Sequence, residues 1–304
     1  MAPTPARRPD VAFLGRGGAL DPDAAHAAFG HYTDADSNKP VDVMPNNFVG
    51  PLQKDQNRVS EIRVDAPTTL NHGLGPVNVY PDNFAGSLPP GAMRVGDYKK
   101  RVEVYSEISH GTSKVSINTD NFMVDGDPEI ARVLGKPGKP FDPKSKEYAE
   151  ATKRADAFKG GMMGHIGELL KTDLGLEFLE KMGSAKHSTR IEHTPGLMNE
   201  TECMFDKSSD AVIYMNPRLT TFADPGEKEQ PWMTERTKYG LYHEMVHAYH
   251  AVNGDAAAGK HKDIKEREFQ AVGLGRHDKE RYSENAFRAA MGKPLRPSYA
   301  GVTY

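Results

Sequence analysis

The stretch KYGLYHEMVHAYHAVNGD, Lys238 to Asp255, carries three histidines and a glutamate within eight residues. Apolar residues recur at helical spacing along one side of it: Tyr242, Met245, Val246 and Tyr249. This stripe predicts a helix that is packed against the core. Gly254 is a typical C-terminal cap for such a helix.

The histidines indicate the chemistry of this helix. His243 and His247 are one turn apart, so both imidazoles can reach the same point, and Glu244 can approach that point from the side. In this His-Glu-x-x-His arrangement two neutral imidazoles hold Zn²⁺ and the glutamate accepts a proton from water. We therefore predict a zinc site with Glu244 as catalytic base. The alternative is a polar helix face that is rich in histidine and binds no metal.

A tetrahedral site needs a third protein ligand from elsewhere in the chain. His250 lies on the same helix and cannot close the site, and position 253, where an extended three-histidine motif needs its last ligand, is an asparagine. HKDIKEREFQAVGLG, residues 261–275, predicts a short helix with Glu268 on its apolar face. A carboxylate on a core face needs a partner or a metal, whereas Glu266 is predicted on the polar side. We therefore favour Glu268 over Glu266 as the third ligand.

A second inward carboxylate lies further downstream. In YSENAFRAAMGKP, residues 282–294, Phe287 and Met291 define the buried stripe of a helix that also contains Glu284. Glu284 would accept a hydrogen bond from a metal-binding histidine and so fix the ring tautomer. The alternative is a carboxylate that stabilises the first turn of its own helix.

Composition limits the class of protein that carries these motifs. The 304 residues are 37% hydrophobic and 27% charged, enough for one large domain or two small ones. A net charge of -3 and scattered basic residues give no indication of a nucleic-acid partner, and no apolar run reaches the length of a membrane span. The run Val11 to Leu14 is too short for a signal-peptide core, so we expect any secretion to occur without a cleaved signal. Cys203 is the single cysteine, which excludes a cysteine-based zinc site.

The chain is expected to divide near residue 100. Residues 1–100, rich in Pro, Gly, Asn and Asp, predict a poorly ordered or loop-rich segment, and residues 101–304 a metalloprotease domain with its core motifs in residues 186–304. Apolar residues between 102 and 117 indicate a hairpin, and helices are expected from 147 to 183 with a break at Gly175. HSTRIEHT and DAVIYMNP predict two strands. The second strand is either an edge that pairs with an extended substrate or an interior strand.

Three segments, in this order and spacing, resemble a known family: YHEMVHAYHAVNG, EREFQAVGLG and SENAFRAAMGKPLRPSY. From about Tyr239 to Tyr299 they look like the NleD-like family of bacterial metalloprotease effectors, which type III secretion injects into host cells. They also resemble, more remotely, the clostridial neurotoxin light chains. In the light chains the third zinc ligand is a glutamate three residues before a Thr-aromatic-Gly step, and Glu268 has the same spacing to AVG.

The light chains also carry a glutamate behind the zinc ligands, with an arginine twelve residues later and a tyrosine three further on. Glu284, Arg296 and Tyr299 stand at those intervals. The resemblance therefore implies that Arg296 and Tyr299 stabilise the oxyanion of the tetrahedral intermediate. The alternative for Arg296 is a surface ion pair in a proline-braced loop.

We expect an α+β zincin-type metallopeptidase, in which the His-Glu-x-x-His helix packs on a small mixed or antiparallel sheet. His243, His247 and Glu268 would bind Zn²⁺. The resemblance implies delivery into the host cytoplasm and cleavage of a host protein, with mitogen-activated protein kinases as candidate substrates and a secretion chaperone or injection apparatus as a candidate partner. Two alternatives stay open: a toxin of a contractile or type VI system with the same chemistry, and a zinc-dependent binding module without turnover.

Overall fold

The computed structural model describes residues 31–33, 40–44, 56–71, 74–110, 122–125, 144–196, 198–205 and 207–304. Within these ranges the protein is α+β, with six α-helices and four small sheets. The helices are α1 (Val95–His110), α2 (Lys146–Leu170), α3 (Asp173–Gly183), α4 (Arg236–Asn253), α5 (Glu266–Val272) and α6 (Glu284–Ala290). None of the described helices is long and apolar enough to cross a membrane.

The strands of the first two sheets are β1 (His31–Thr33), β2 (Pro40–Met44), β3 (Gln56–Arg58), β4 (Thr68–Asn71), β5 (Pro76–Tyr80) and β6 (Met93–Arg94). The third sheet contains β7 (Phe122–Asp125), β8 (Thr189–His193), β9 (Glu200–Glu202) and β10 (Ala211–Met215). A small hairpin of β11 (Lys260–His261) and β12 (Ile264–Lys265) precedes α5. Each of the three larger sheets has three or four strands.

The third sheet supports the helix that carries the histidines. Its order is β7-β8-β10-β9; β10 runs parallel to β8 and antiparallel to β9, so the sheet is mixed, as expected. Both predicted strands are present as β8 and β10. The interpretation of Ala211 to Asn216 as an edge strand is wrong, because β10 has hydrogen-bonded neighbours on both sides. Among the described strands β9 forms that edge, and α4 packs against β10 and β9.

The predicted hairpin after residue 101 is wrong over its first arm, which is helical in α1. The buried residues Tyr98, Val102, Tyr105 and Ile108 recur every three or four positions. The run RVEVY alternates for too few residues to distinguish a strand from this helical stripe. The second arm, with Val115 and Ile117, lies outside the described residues.

The break between α2 and α3 falls at Lys171 and Thr172 rather than at Gly175. Thr172 caps α3, because its Oγ1 accepts a hydrogen bond from the Gly175 amide at 2.9 Å. Gly175 is required by packing instead: a Cβ there would stand 2.0 Å from the Leu169 carbonyl oxygen. The buried Arg101 of α1 stabilises this turn, because its guanidinium donates hydrogen bonds to the carbonyl oxygens of Leu170 and Thr172.

The main core surrounds α4. Tyr239, Leu241, Tyr242, Met245, Val246, Ala248 and Val252 are all buried in one apolar cluster. The Tyr242 hydroxyl donates to the His165 carbonyl oxygen at 2.7 Å, which fixes α4 against α2. Leu70, Val77 and Val79 of β4 and β5 belong to the same cluster. The division of the chain near residue 100 stays a prediction.

Candidate metal centre

The two histidines of the His-Glu-x-x-His motif lie close together on one side of α4. His243 and His247 are each 5% exposed, and their Nε2 atoms lie 3.1 Å apart. Glu268 of α5 brings Oε2 to 3.4 Å from His243 Nε2 and 3.0 Å from His247 Nε2. Within the described residues this is the one group of His, Cys, Asp and Glu side chains whose spacing suits a metal ion.

The spacing of the three atoms fits a zinc site. Ligands at bond lengths of about 2.0–2.1 Å in a tetrahedral site lie roughly 3.3–3.4 Å from one another. The three distances here are 3.0, 3.1 and 3.4 Å. Two neutral imidazole nitrogens and a carboxylate oxygen that face one another repel unless a cation or a proton lies between them. The donor set, two nitrogens and one oxygen, is one that catalytic zinc sites use.

In the metal-free protein a proton can take the place of the cation. Burial by itself would lower the pKa of His243, but the Glu268 and Glu284 carboxylates outweigh burial and raise that pKa to about 9. Burial would likewise raise the pKa of Glu268, and hydrogen bonds from His243 and His247 instead hold it well below its ordinary range. These shifts favour an ion pair between a protonated His243 and an ionised Glu268 at neutral pH.

The argument that placed Glu266 on the polar side of α5 is wrong, although the structure does bring Glu268 to the histidines. Glu266 is buried and points elsewhere: Arg276 Nε, His277 Nε2 and the Tyr304 hydroxyl lie 2.8, 3.0 and 2.8 Å from its Oε1. The prediction assumed that the helix already includes the residues before Glu266. In the structure α5 begins only at Glu266, and Ile264 and Lys265 form strand β12. These two residues therefore do not indicate which side of the helix is apolar. In a two-turn helix both glutamates can be enclosed on different sides.

His250 stands apart from the cluster, as predicted. Its Nδ1 lies 2.8 Å from Asp255 Oδ1, and its Nε2 lies 3.6 Å from Glu280 Oε1.

Glu244 is buried beside the cluster and is held by a residue that the motif did not indicate. The Thr201 hydroxyl of β9 lies 2.8 Å from Glu244 Oε2 and 3.0 Å from the Glu244 carbonyl oxygen. Donation from Thr201 to Oε2 fixes the orientation of the carboxylate and leaves Oε1 without this hydrogen bond. Sequence analysis gave no signal for Thr201, since a three-residue strand has no distinctive periodicity.

Glu284 lies behind His243. It is fully buried, and its Oε2 is 3.4 Å from His243 Nδ1, an ion-pair contact rather than the predicted hydrogen bond. Burial would raise its pKa, but Arg296 above all, with His243 and Arg288, lowers it to about 2. The first-turn amide that the alternative interpretation assigned to Glu284 is bonded by Ser283 instead, whose Oγ accepts from the Ala286 amide. The geometry thus favours a role toward His243.

Two arginines neutralise Glu284. Arg288 Nε donates to its Oε1 at 2.8 Å and Arg296 Nη1 to its Oε2 at 2.9 Å. The Arg288 guanidinium also covers the Tyr239 ring, with Cζ 3.7 Å from the centroid. Sequence analysis missed Arg288, although its spacing of four residues from Glu284 is typical of a helical ion pair.

Arg296 is part of a buried ion pair, so the alternative of a surface ion pair is wrong. Its backbone amide and carbonyl are bonded by the Asn285 side chain at 2.7 and 2.9 Å, which anchors the C-terminal segment on α6. The Tyr299 ring stacks on the His243 ring, with centroids 5.6 Å apart. Burial and the Glu268 carboxylate raise the pKa of Tyr299 above its ordinary value.

Residues 146–299, slightly more than half of the chain, match the model of the peptidase M91 family, which is described as an effector protein. The matched range covers α2 to α6 and every candidate site residue from His243 to Tyr299. It also begins well upstream of Tyr239, where the resemblance in the sequence began. Neither a curated protein nor a solved structure matches the chain.

Proposed function

We propose that this chain, which belongs to the NleD-like peptidase M91 family of effector proteins, is a zincin-type zinc endopeptidase that cleaves a protein of the host cell. One observation carries the zinc assignment: His243 Nε2, His247 Nε2 and Glu268 Oε2 lie 3.0 to 3.4 Å apart. A buried glutamate, Glu244, stands beside them. A metallopeptidase combines a Lewis acid with a base, and this arrangement of residues offers a place for both.

His243, His247 and Glu268 would hold the ion, which supplies a Lewis acid for the substrate carbonyl and lowers the pKa of water. Glu244 accepts the proton of the attacking water at Oε1 and returns it to the leaving amine. The Thr201 hydroxyl keeps the Glu244 carboxylate in one orientation through Oε2.

Tyr299 is the candidate oxyanion donor. Its ring stacks on His243, and its hydroxyl is protonated at neutral pH like any phenol; burial and Glu268 raise its pKa further. A neutral phenol can donate to the alkoxide that develops in the transition state. Arg296 is a candidate for the same role by resemblance, and its contact with Glu284 adds a positioning role toward His243.

Family membership supports delivery into host cells and a host protein as substrate, and mitogen-activated protein kinases are the candidate class to test first. The edge strand β9 supports binding of an extended peptide, since Thr201 of this strand contacts Glu244. A toxin of a contractile or type VI system would use the same chemistry. A binding module without turnover would not need the buried Glu244 beside the ligands.

The test combines metal analysis with cleavage. Purified full-length protein should contain close to one zinc per chain and cleave a host-cell lysate or purified kinases, and chelation should abolish cleavage until zinc is restored. Glu244→Gln is the matched control, because it should keep zinc and lose turnover. Cleavage by a metal-free, chelator-insensitive preparation would refute the proposal. Zinc binding without cleavage of any host protein would favour the binding module.

A further inference from the structure

Arg267 and Phe205 form a stack beside the candidate metal centre that the chemistry above does not use. The Arg267 guanidinium lies over the Phe205 ring, with Cζ 3.7 Å from the centroid. The Phe205 ring meets the His247 ring edge to face, with centroids 5.9 Å apart. The stack thus contacts one candidate ligand, His247, through Phe205. It also adjoins a second one, because Arg267 directly precedes Glu268.

The two carboxylate oxygens of Glu268 face different partners. Oε2 faces the histidines, whereas Oε1 lies 3.6 Å from Arg267 Nε. The Arg267 Nε is buried and has no hydrogen-bond partner among the described residues. A buried donor without an acceptor costs free energy. The 3.6 Å separation is an ion-pair contact, longer than a hydrogen bond, between this donor and Oε1.

We propose that Arg267, supported by Phe205, is a positioning residue for Glu268: it holds Oε1 and leaves only Oε2 for the metal. This inference rests on the zinc site proposed above. A carboxylate can bind a metal through one oxygen or both. A guanidinium that occupies Oε1 prevents the second bond, and a catalytic zinc site must keep one position open for water and substrate. The aromatic face of Phe205 stabilises the guanidinium in this place.

Cobalt substitution of the full-length chain tests the proposal, because the visible absorption of Co²⁺ is strong in four-coordinate sites and weaker when the coordination number rises. Arg267→Met should free Oε1 for the metal, so the visible absorption should fall. We expect kcat to fall about 10–100-fold, the usual effect of losing a residue that orients a metal ligand, with little change in KM. Arg267→Lys keeps the charge without the planar stack and should restore part of both signals.

Phe205→Leu provides a second route to the same result. It removes the aromatic support, leaves Arg267 in place and should change the cobalt spectrum in the same direction, to a smaller extent. This variant also keeps the proposal testable if Arg267→Met does not fold. Circular dichroism on each protein establishes which variants are folded.

Arg276→Met is the matched control. Arg276 pairs with the other glutamate of α5, Glu266, at 2.8 Å and has an exposed side chain. Its replacement should leave the cobalt spectrum and kcat unchanged. Wild-type cobalt spectra from folded Arg267→Met and Phe205→Leu would overturn the proposal. A wild-type chain that binds neither zinc nor cobalt would instead refute the zinc site itself, and this inference with it.

Discussion

Replacing Glu284 by glutamine should damage both the fold and the metal centre, because this buried carboxylate has three partners. Arg288 Nε, Arg296 Nη1 and His243 Nδ1 lie 2.8, 2.9 and 3.4 Å from its oxygens, and the side chain is fully buried. Glutamine keeps the shape but only one acceptor oxygen, and its amide NH₂ must face a guanidinium or the imidazole. Two buried guanidinium groups then lose their counter-charge.

The expected magnitude follows from these contacts. Removing one partner of a buried ion pair costs about 3–5 kcal/mol of unfolding free energy. For a domain of this size that loss corresponds to a melting temperature lower by roughly 5–15 °C. Loss of the contact to His243 should weaken zinc binding about 10–100-fold, as is usual when the partner of a metal-binding histidine is removed.

The assay measures melting temperature and zinc affinity on the same preparations. Glu180→Gln is the control, since Glu180 pairs with Lys100 at 2.7 Å in a partly exposed position, where ion pairs contribute little. The control should change neither quantity appreciably. The reasoning is refuted if Glu284→Gln has the same melting temperature as the control and the same zinc affinity as the wild type. Glu284 would then neither neutralise the arginines nor orient His243.

Four further outcomes are expected. Glu244→Gln should retain zinc and lose about 10²–10⁴-fold in kcat, because an amide cannot accept the proton of water; near-normal turnover would exclude Glu244 as base. Zinc binding near pH 7 should release about one proton, because the pKa of His243 is raised to about 9. The affinity for zinc should therefore rise with pH and level off near pH 9. Calorimetry in buffers of different ionisation enthalpy measures the proton release. Tyr299→Phe should lower kcat about 10²-fold or more at full zinc content, and a change in KM alone would argue against an oxyanion contact. Glu268→Ala should lose far more zinc than Glu266→Ala, as metal analysis after dialysis would establish.

The helix α4 could be predicted from the sequence because its apolar stripe and its glycine cap are local signals. Gly254 does adopt the left-handed conformation, with φ of 73°, that the cap requires. The same periodicity was too short to identify α1, since RVEVY fits a strand and a helix equally well. The local pattern therefore succeeded where an apolar stripe over about two turns was joined by a glycine cap, and failed over a five-residue run without a cap.

The outer contacts of the site could not be predicted, because they join segments distant in sequence. Thr201 reaches Glu244 across 43 positions, a separation that no periodicity encodes. The choice of Glu268 over Glu266 agreed with the geometry for a reason that was partly wrong, since both side chains are enclosed and only their directions differ. Arg288 was within reach of prediction, because a buried carboxylate requires a counter-charge and the residue four positions later on the helix could supply it.

The charges around His243 stabilise the arrangement of the three candidate ligands. Zinc fingers need the ion to fold, since their ligands have no other means of support. Here Glu284 is already neutralised by Arg288 and Arg296, and the raised pKa of His243 allows a proton to lie between the imidazole and the Glu268 carboxylate. Exchanging that proton for a divalent cation keeps the sign of the charge at that position, so binding need not rearrange the helices that present the ligands. The arginines behind the proposed zinc site thus contribute to holding its ligands in place.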